Sequence, residues 1–123
     1  MIIEDEVDIF TLYKDYLIQR GHEIICSSLN ANNIMVDFDI NRPDIAIMDY
    51  KLTGHKNGID AATEILTDYP QFPILFITAY EQLRKDILGY PIFKGKKIQI
   101  LLKPATLKEI EDTVLNLVSS AIL

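Results

Sequence analysis

Glu4, Asp5 and Glu6, then Asp49, Thr78 and Lys103, are the residues of this chain whose types and spacing suit phosphoryl and metal chemistry. Each follows or closes an apolar run. Met1-Ile2-Ile3 leads into Glu4-Asp5-Glu6, and Ile45-Ala46-Ile47-Met48 leads into Asp49. Ile74-Leu75-Phe76-Ile77 leads into Thr78, and Ile98-Gln99-Ile100-Leu101-Leu102 into Lys103-Pro104. Carboxylates are what a hard divalent cation takes as ligands, beside water and phosphate oxygens. A hydroxyl can hydrogen-bond a phosphoryl oxygen, and an ammonium can neutralise its charge as a point cation. An aspartate facing a phosphoryl donor can also attack it and become an acyl phosphate.

Singly, each residue has an ordinary explanation. Acids at the start of a helix cap it and suit its dipole. An Asp can turn a chain, a Thr is a common strand residue, and a Lys in a turn is usually solvated. The shared position is what goes beyond this. In an open parallel α/β sheet, ligands bind just beyond the carboxyl ends of the strands. Four such ends would gather acids, a hydroxyl and an ammonium in one crevice. A cis Pro104 would fix the turn that holds Lys103.

The elements that must do this positioning alternate along the chain, as they do in a parallel sheet covered on both faces. After the first strand, Val7 to Arg20 carries Ile9, Phe10, Tyr13, Leu17 and Ile18 at helical spacing, with Gly21 as its stop. Glu23 to Ser28 reads as an edge-side strand, and Asn30 to Ile40 as a weak helix. A turn-rich loop from Thr53 to Gly58 precedes a helix from about Ile59 to Tyr69. Glu81 to Leu88 is a short helix ended by Gly89, and Gly89 to Lys97 a loop. Thr106-Leu107-Lys108-Glu109 is a capping box that opens a last helix. Right-handed crossovers would wind five strands and five helices into one three-layer sandwich.

The bulk properties fit this. The chain has 123 residues, 49% hydrophobic and 24% charged, which suits a single globular domain. Its net charge of −6 argues against nucleic acid as a direct partner. No apolar run approaches the ~18 residues of a membrane span, and the start lacks the features of a signal peptide. Cys26 is the one cysteine, so no internal disulfide can form and a reducing, cytoplasmic setting is expected. Cys26 itself reads as a buried inert thiol, and His22 and His55 as surface residues without a role. The first strand has three apolar residues where ~5–6 is usual. Residues 1–123 are therefore expected to form one domain, either complete or a fragment of a longer protein.

Taken in order and spacing, the motifs resemble the receiver domains of two-component response regulators over nearly the whole chain. They are Ile2-Ile3-Glu4-Asp5-Glu6, Ile47-Met48-Asp49-Tyr50-Lys51-Leu52, Asn57-Gly58-Ile59-Asp60-Ala61, Phe76-Ile77-Thr78-Ala79-Tyr80 and Leu102-Lys103-Pro104. The resemblance implies a flavodoxin-like (βα)5 fold, with a five-stranded parallel sheet of order 2-1-3-4-5. It implies that Asp49 accepts a phosphoryl group from a histidine kinase or phosphotransfer protein. It also implies that Mg²⁺ (or Mn²⁺) is bound by Asp5, Asp49 and the backbone carbonyl of Lys51, with Glu4 helping through water. Thr78 and Lys103 would contact the phosphoryl group and convert its arrival into movement of the face made by the fourth helix, fifth strand and fifth helix. The output domain or protein is not named by the sequence, and a homodimer through the last helix is one expected arrangement.

Three departures stand out. Ile100 occupies the place where receivers usually carry a rotating Tyr or Phe. The loop after Asp49 lacks the common proline and is one residue longer. Gly89 to Lys97 replaces the usual fourth-helix region. Lys51 and Tyr80, two residues after Asp49 and Thr78, could flank an acyl phosphate and slow its hydrolysis.

Three other readings compete. A Mg²⁺-dependent phosphohydrolase with an aspartyl-phosphate intermediate would need a second Asp where Lys51 stands. A flavodoxin-like electron carrier would need a Ser/Thr/Gly-rich loop where Glu4-Asp5-Glu6 would repel the FMN phosphate. A pseudo-receiver would keep the fold and act through protein contacts alone, a reading to which Ile100 lends weight. The expectation is a signalling phosphoacceptor rather than an enzyme acting on an external substrate.

Overall fold

The computed structural model describes all residues except 26, 29, 53, 55 and 123, and of residues 120–122 the backbone alone. The expectations for Cys26 and His55 lie outside the described residues. The order is β1 (Ile2–Ile3), α1 (Val7–Gln19), β2 (Ser27–Ser28), α2 (Ile34–Asn41), β3 (Ala46–Met48), α3 (Gly58–Asp68), β4 (Ile74–Thr78), α4 (Leu83–Leu88), a 3-10 turn (Pro91–Phe93), β5 (Ile98–Leu102) and α5 (Leu107–Ile122). The strands form one parallel sheet in the order β2-β1-β3-β4-β5.

Successive strand side chains point to opposite faces, so the apolar runs fill two cores. Ile3, Met48, Ile74 and Phe76 pack with Ile34 and Phe38 of α2, Ile65 of α3, and Leu83 and Ile87 of α4. Ile2, Ile47, Leu75 and Ile77 pack with Tyr13 and Leu17 of α1 and Ile110, Val114 and Leu117 of α5. This is why β3 and β4 are apolar at every position. A strand covered on both sides has no solvent face.

The helix signals are realised as hydrogen bonds. Beyond α1, the Gly21 N–H reaches the Ile18 carbonyl at 3.1 Å and the His22 N–H the Leu17 carbonyl at 3.0 Å. Gly21 has φ +90°, a value glycine adopts without a Cβ clash. The capping box before α5 forms as read, with the Glu109 N–H on Thr106 Oγ1 and the Thr106 N–H on Glu109 Oε1, both at 3.1 Å. A second box that the reading missed, Asn57 with Asp60, opens α3. The Lys103–Pro104 bond is cis.

Several boundaries differ from the sequence reading. Among the described residues β2 is Ser27–Ser28, which pair with Ile2 and Ile3 of β1, and residues 23–25 of the expected strand lie outside it. Helix α2 starts at Ile34 rather than Asn30. The Asn32 N–H bonds to Asn30 Oδ1 and the Ile34 N–H to the Ala31 carbonyl, so asparagine turns compete with the helix there. Helix α4 begins at Leu83, and the expected loop from Gly89 to Lys97 holds the 3-10 turn, which buries Phe93 in the core.

His22 is a further correction. It is half-buried, with Nε2 2.8 Å from Oε2 of the buried Glu111, whose Oε1 takes Arg20 at 3.0 Å. These contacts tie the end of α1 to α5. The hydrogen bond from Arg20, then that from His22, hold the Glu111 carboxyl below its ordinary value of 4.5. A carboxyl lowered on folding stabilises the fold above its unfolded pKa, and that contribution fades as pH falls through the folded value. Glu111→Gln should therefore melt at lower temperature than the parent at pH 7, with the gap closing as pH drops below about 4.5. Thermal melts across that range would show this, and a gap independent of pH would count against the clasp.

Among the described residues, no helix is long and apolar enough to cross a membrane.

Candidate functional site

The four strand ends converge as the topology requires. Glu4 follows β1 and is held by its N–H on the Ser28 carbonyl at 3.1 Å. Asp49 follows β3, with its N–H on the Ile3 carbonyl at 3.3 Å. Thr78 closes β4 and is almost fully buried, and its carbonyl accepts the Lys103 N–H at 2.8 Å. Between them lies a cleft of about 290 Å³ lined by Asp5, Glu6, Asp49, Lys51, Thr78 and Lys103, with Ala79 and Tyr80 at its wall.

At its floor, Lys103 Nζ donates to Asp49 Oδ2 at 2.9 Å and to Glu4 Oε1 at 3.0 Å. Glu4 Oε2 accepts the Glu6 N–H at 3.2 Å. Carboxylate oxygens of Glu4, Asp5 and Asp49 lie within 4.8 Å of one another. With all three ionised, one ammonium leaves the cluster with excess negative charge. Asp49 Oδ1 is buried and has no hydrogen-bond partner among the described residues. A buried carboxylate oxygen without a partner is costly. A hard cation beside Asp5 would satisfy it, so these acids fit a divalent ion on charge and ligand type.

The electrostatics follow from burial. Loss of water pushes the Glu4 carboxyl above its ordinary value, and the hydrogen bonds from Lys103 and the Glu6 N–H offset this only in part. Burial works against the Lys103 ammonium too. Hydrogen bonds to Asp49 and Glu4 outweigh it and hold its pKa above the usual lysine range. Tyr13, close enough to feel Lys103, Glu4 and Asp49, is pushed up to about 12 by burial and stays neutral.

Over the cleft, Lys51 Nζ sits 5.1 Å from the centroid of the Tyr80 ring, and Tyr80 stacks on Tyr50 at 4.9 Å with planes 7° apart. The Tyr80 N–H donates to Thr78 Oγ1 at 3.1 Å, which leaves the Thr78 hydroxyl proton for another acceptor. Asp5, Asp49, Thr78, Lys103, Lys51 and Tyr80 thus meet at one cleft, and Glu4 joins its floor through Lys103. Ile100 lies away from it, half-buried against the α2–α3–α4 core and paired in register with Phe76.

Two contributors were given no role from the sequence: Tyr50 supplies the stack, and Gly58 allows β3 and α3 to approach. The direct contact of Glu4 with Lys103 was likewise not foreseen. The Gly58 N–H meets the Tyr50 carbonyl at 2.6 Å. A Cβ on Gly58 would lie 2.5 Å from the Asp49 carbonyl oxygen. The Asn57-Gly58 pair before a helix was the available signal.

A family profile described as the response regulator receiver domain matches residues 1–115. The chain belongs to the response regulator receiver family. Among its relatives is the transcriptional regulatory protein PdtaR of Mycobacterium tuberculosis, 33% identical over 110 residues, with 89% of this chain and 51% of PdtaR covered. The chain thus spans about half the length of that relative. The receiver domain of NtrX from Brucella abortus superposes with a TM-score of 0.81 at 19% identity, with 97% of each chain covered. The receiver domain of PhyR from Erythrobacter litoralis does so with 0.79 at 24% identity, covering 96% of this chain and 87% of that one. These two likenesses show the fold.

Proposed function

We propose that this receiver accepts a phosphoryl group on Asp49 from a phosphohistidine of a partner kinase or phosphotransfer protein. A carboxylate oxygen of Asp49 forms the new O–P bond as the P–N bond breaks, and the histidine nitrogen takes up a proton. The observation that carries this reading is the Asp49 carboxylate. One oxygen is bonded to Lys103, and the other is buried and unpartnered beside Glu4 and Asp5. Asp5 and Asp49 would hold Mg²⁺ or Mn²⁺ with the Lys51 carbonyl, and Glu4 through water. The ion would supply positive charge against the phosphoryl oxygens. Lys103 can turn from carboxylate to phosphoryl oxygen, and Thr78 can donate its hydroxyl proton to another. Tyr80, hydrogen-bonded to Thr78 through its N–H, is placed to feel that change.

Incubation with Mg²⁺ and acetyl phosphate, followed by intact-mass measurement, tests this. One phosphoryl adduct is expected, absent in Asp49→Asn and without the metal. A second reading, a pseudo-receiver working through contacts alone, is favoured by Ile100 at the usual aromatic place. No adduct with any small donor would select it.

The roof over the cleft gives a further expectation. Lys51 and the Tyr50–Tyr80 stack narrow the approach of water to Asp49. Lys51→Ala and Tyr80→Ala should each speed decay of the adduct several-fold, read as its half-life by mass. Decay that is unchanged or slower in both variants would remove the shielding role.

A further inference from the structure

Charge is unevenly distributed over this acidic protein. Between Leu83 and Ile100 fall five of its twelve basic residues, Arg84, Lys85, Lys94, Lys96 and Lys97, and one of its eighteen acids, Asp86. The segment is α4, the 3-10 turn and the start of β5. None of its four lysines has an ion pair among the described residues. At its centre Leu88 is 86% exposed and Tyr90 47%. Two clefts flank Leu88. One, of about 530 Å³, has Tyr90 and Lys94 in its wall, and the other, of about 440 Å³, has Arg84, Lys96 and Ile100. Ile87 and Phe93 form an apolar floor common to both. The 3-10 turn makes this relief, because burying Phe93 lifts Lys94 and Lys96 to the rim.

The geometry points to a docking surface for an acidic amphipathic segment of another protein, with apolar anchors in the two clefts and carboxylates on the rim. Charge complementarity chooses this occupant. A second copy applying the same face would set one basic patch against another. A nucleic acid would meet the lysines, but it would also meet an exposed leucine and a net charge of −6. Acidic residues around two or three apolar side chains satisfy both the lysines and the clefts. This names the partner of the signalling face and in that respect rests on the receiver reading. Helix α4 starts three residues beyond Tyr80, with its Leu83 N–H on the Tyr80 carbonyl at 3.2 Å, so the face is joined directly to the Thr78 end of the site.

The test is a display library of random peptides of about four helical turns, selected against the full chain with and without acetyl phosphate and Mg²⁺. Enriched peptides are then labelled and titrated by fluorescence anisotropy. Enrichment of net-acidic sequences with apolar residues at i, i+3 or i+4 is expected. Leu88→Ala and the double change Lys94→Glu, Lys96→Glu should each weaken binding roughly tenfold, and added salt should weaken it in the parent. Neutral or basic winners, no enrichment, indifference to these variants, or tighter binding of a mixed-sequence RNA or duplex DNA to this face would each overturn the proposal. Both substitutions lie on the surface and away from Asp49, so adduct formation is followed separately in the same variants. Adduct without acidic-peptide binding removes the docking surface alone, and acidic-peptide binding without adduct removes the phosphoacceptor reading alone.

Discussion

Lys103→Ala is expected to lower folding stability by about 3–5 kcal/mol at pH 7.5 without divalent metal, the usual cost of removing one partner of a buried ion pair. The side chain is 16% exposed, and its two acceptors are more buried still. Its removal leaves Glu4, Asp5 and Asp49 facing one another with no cation. Two features separate this from a mere packing defect. Millimolar Mg²⁺ should recover much of the loss and stabilise the variant more than the parent, since an ion bound only by the folded state adds stability through mass action. Acidification should also narrow the deficit. Glu4 already has a raised carboxyl pKa because of burial, and without the lysine only the Glu6 N–H bond is left to offset that burial and the charge of Asp49. A carboxyl whose folded pKa exceeds its unfolded one destabilises the fold once pH rises above both, and the penalty disappears as pH falls below the unfolded value. The parent should respond little through Lys103 itself. A lysine with a raised pKa keeps its full contribution below the ordinary 10.5 and loses it only above. Urea titrations at pH 5 and pH 7.5, with and without Mg²⁺, read all of this. A loss under about 1 kcal/mol, or equal Mg²⁺ effects on both proteins, would contradict the floor described here.

Gly58→Ala should cost about 3 kcal/mol, at the upper end for overpacking. The added Cβ would lie 2.5 Å from the Asp49 carbonyl oxygen, 2.9 Å from Tyr50 Cα and 3.0 Å from the Phe76 ring. Two of these are backbone atoms that cannot swing aside, so α3 must move off β3 and carry the Asp49 end of the strand with it. Alanine's better helix propensity returns at most about 1 kcal/mol. The variant should lose stability and form adduct more slowly in the same mass assay. Gly89→Ala is the internal control. Its nearest contact would be the Asp86 carbonyl oxygen at 3.4 Å, in an ordinary right-handed conformation, so stability should hardly change. Equal unfolding midpoints for the two alanine variants would refute the close approach.

What could be read from the residues is what repeats locally. The apolar runs and the acids, hydroxyl and ammonium at their ends are periodic or adjacent features, and they gave the sheet, its helices and the composition of the cleft. The Thr106–Glu109 box and the Gly21 stop were legible because caps depend on residues within one turn. That residues 23–25 stay outside β2 was not, because a strand lasts only as long as its neighbour, and among the described residues β1 pairs with β2 through Ile2 and Ile3. The 3-10 turn was not legible either, because Phe93 is drawn into the core that α3 and α4 share rather than held by its immediate neighbours in sequence.

In the site, residue types and their places at strand ends were enough to say which groups are present and that Asp49, Thr78 and Lys103 face one crevice. How they share charge came from the folded packing. Lys103 could pair with Glu4 and Asp49, 99 and 54 positions away in sequence, only after the chain between them had folded. The same holds for the Tyr50–Tyr80 stack and the Glu111 clasp on His22. Both depend on distances between elements apart in the chain, and those are set by how two cores pack on one sheet.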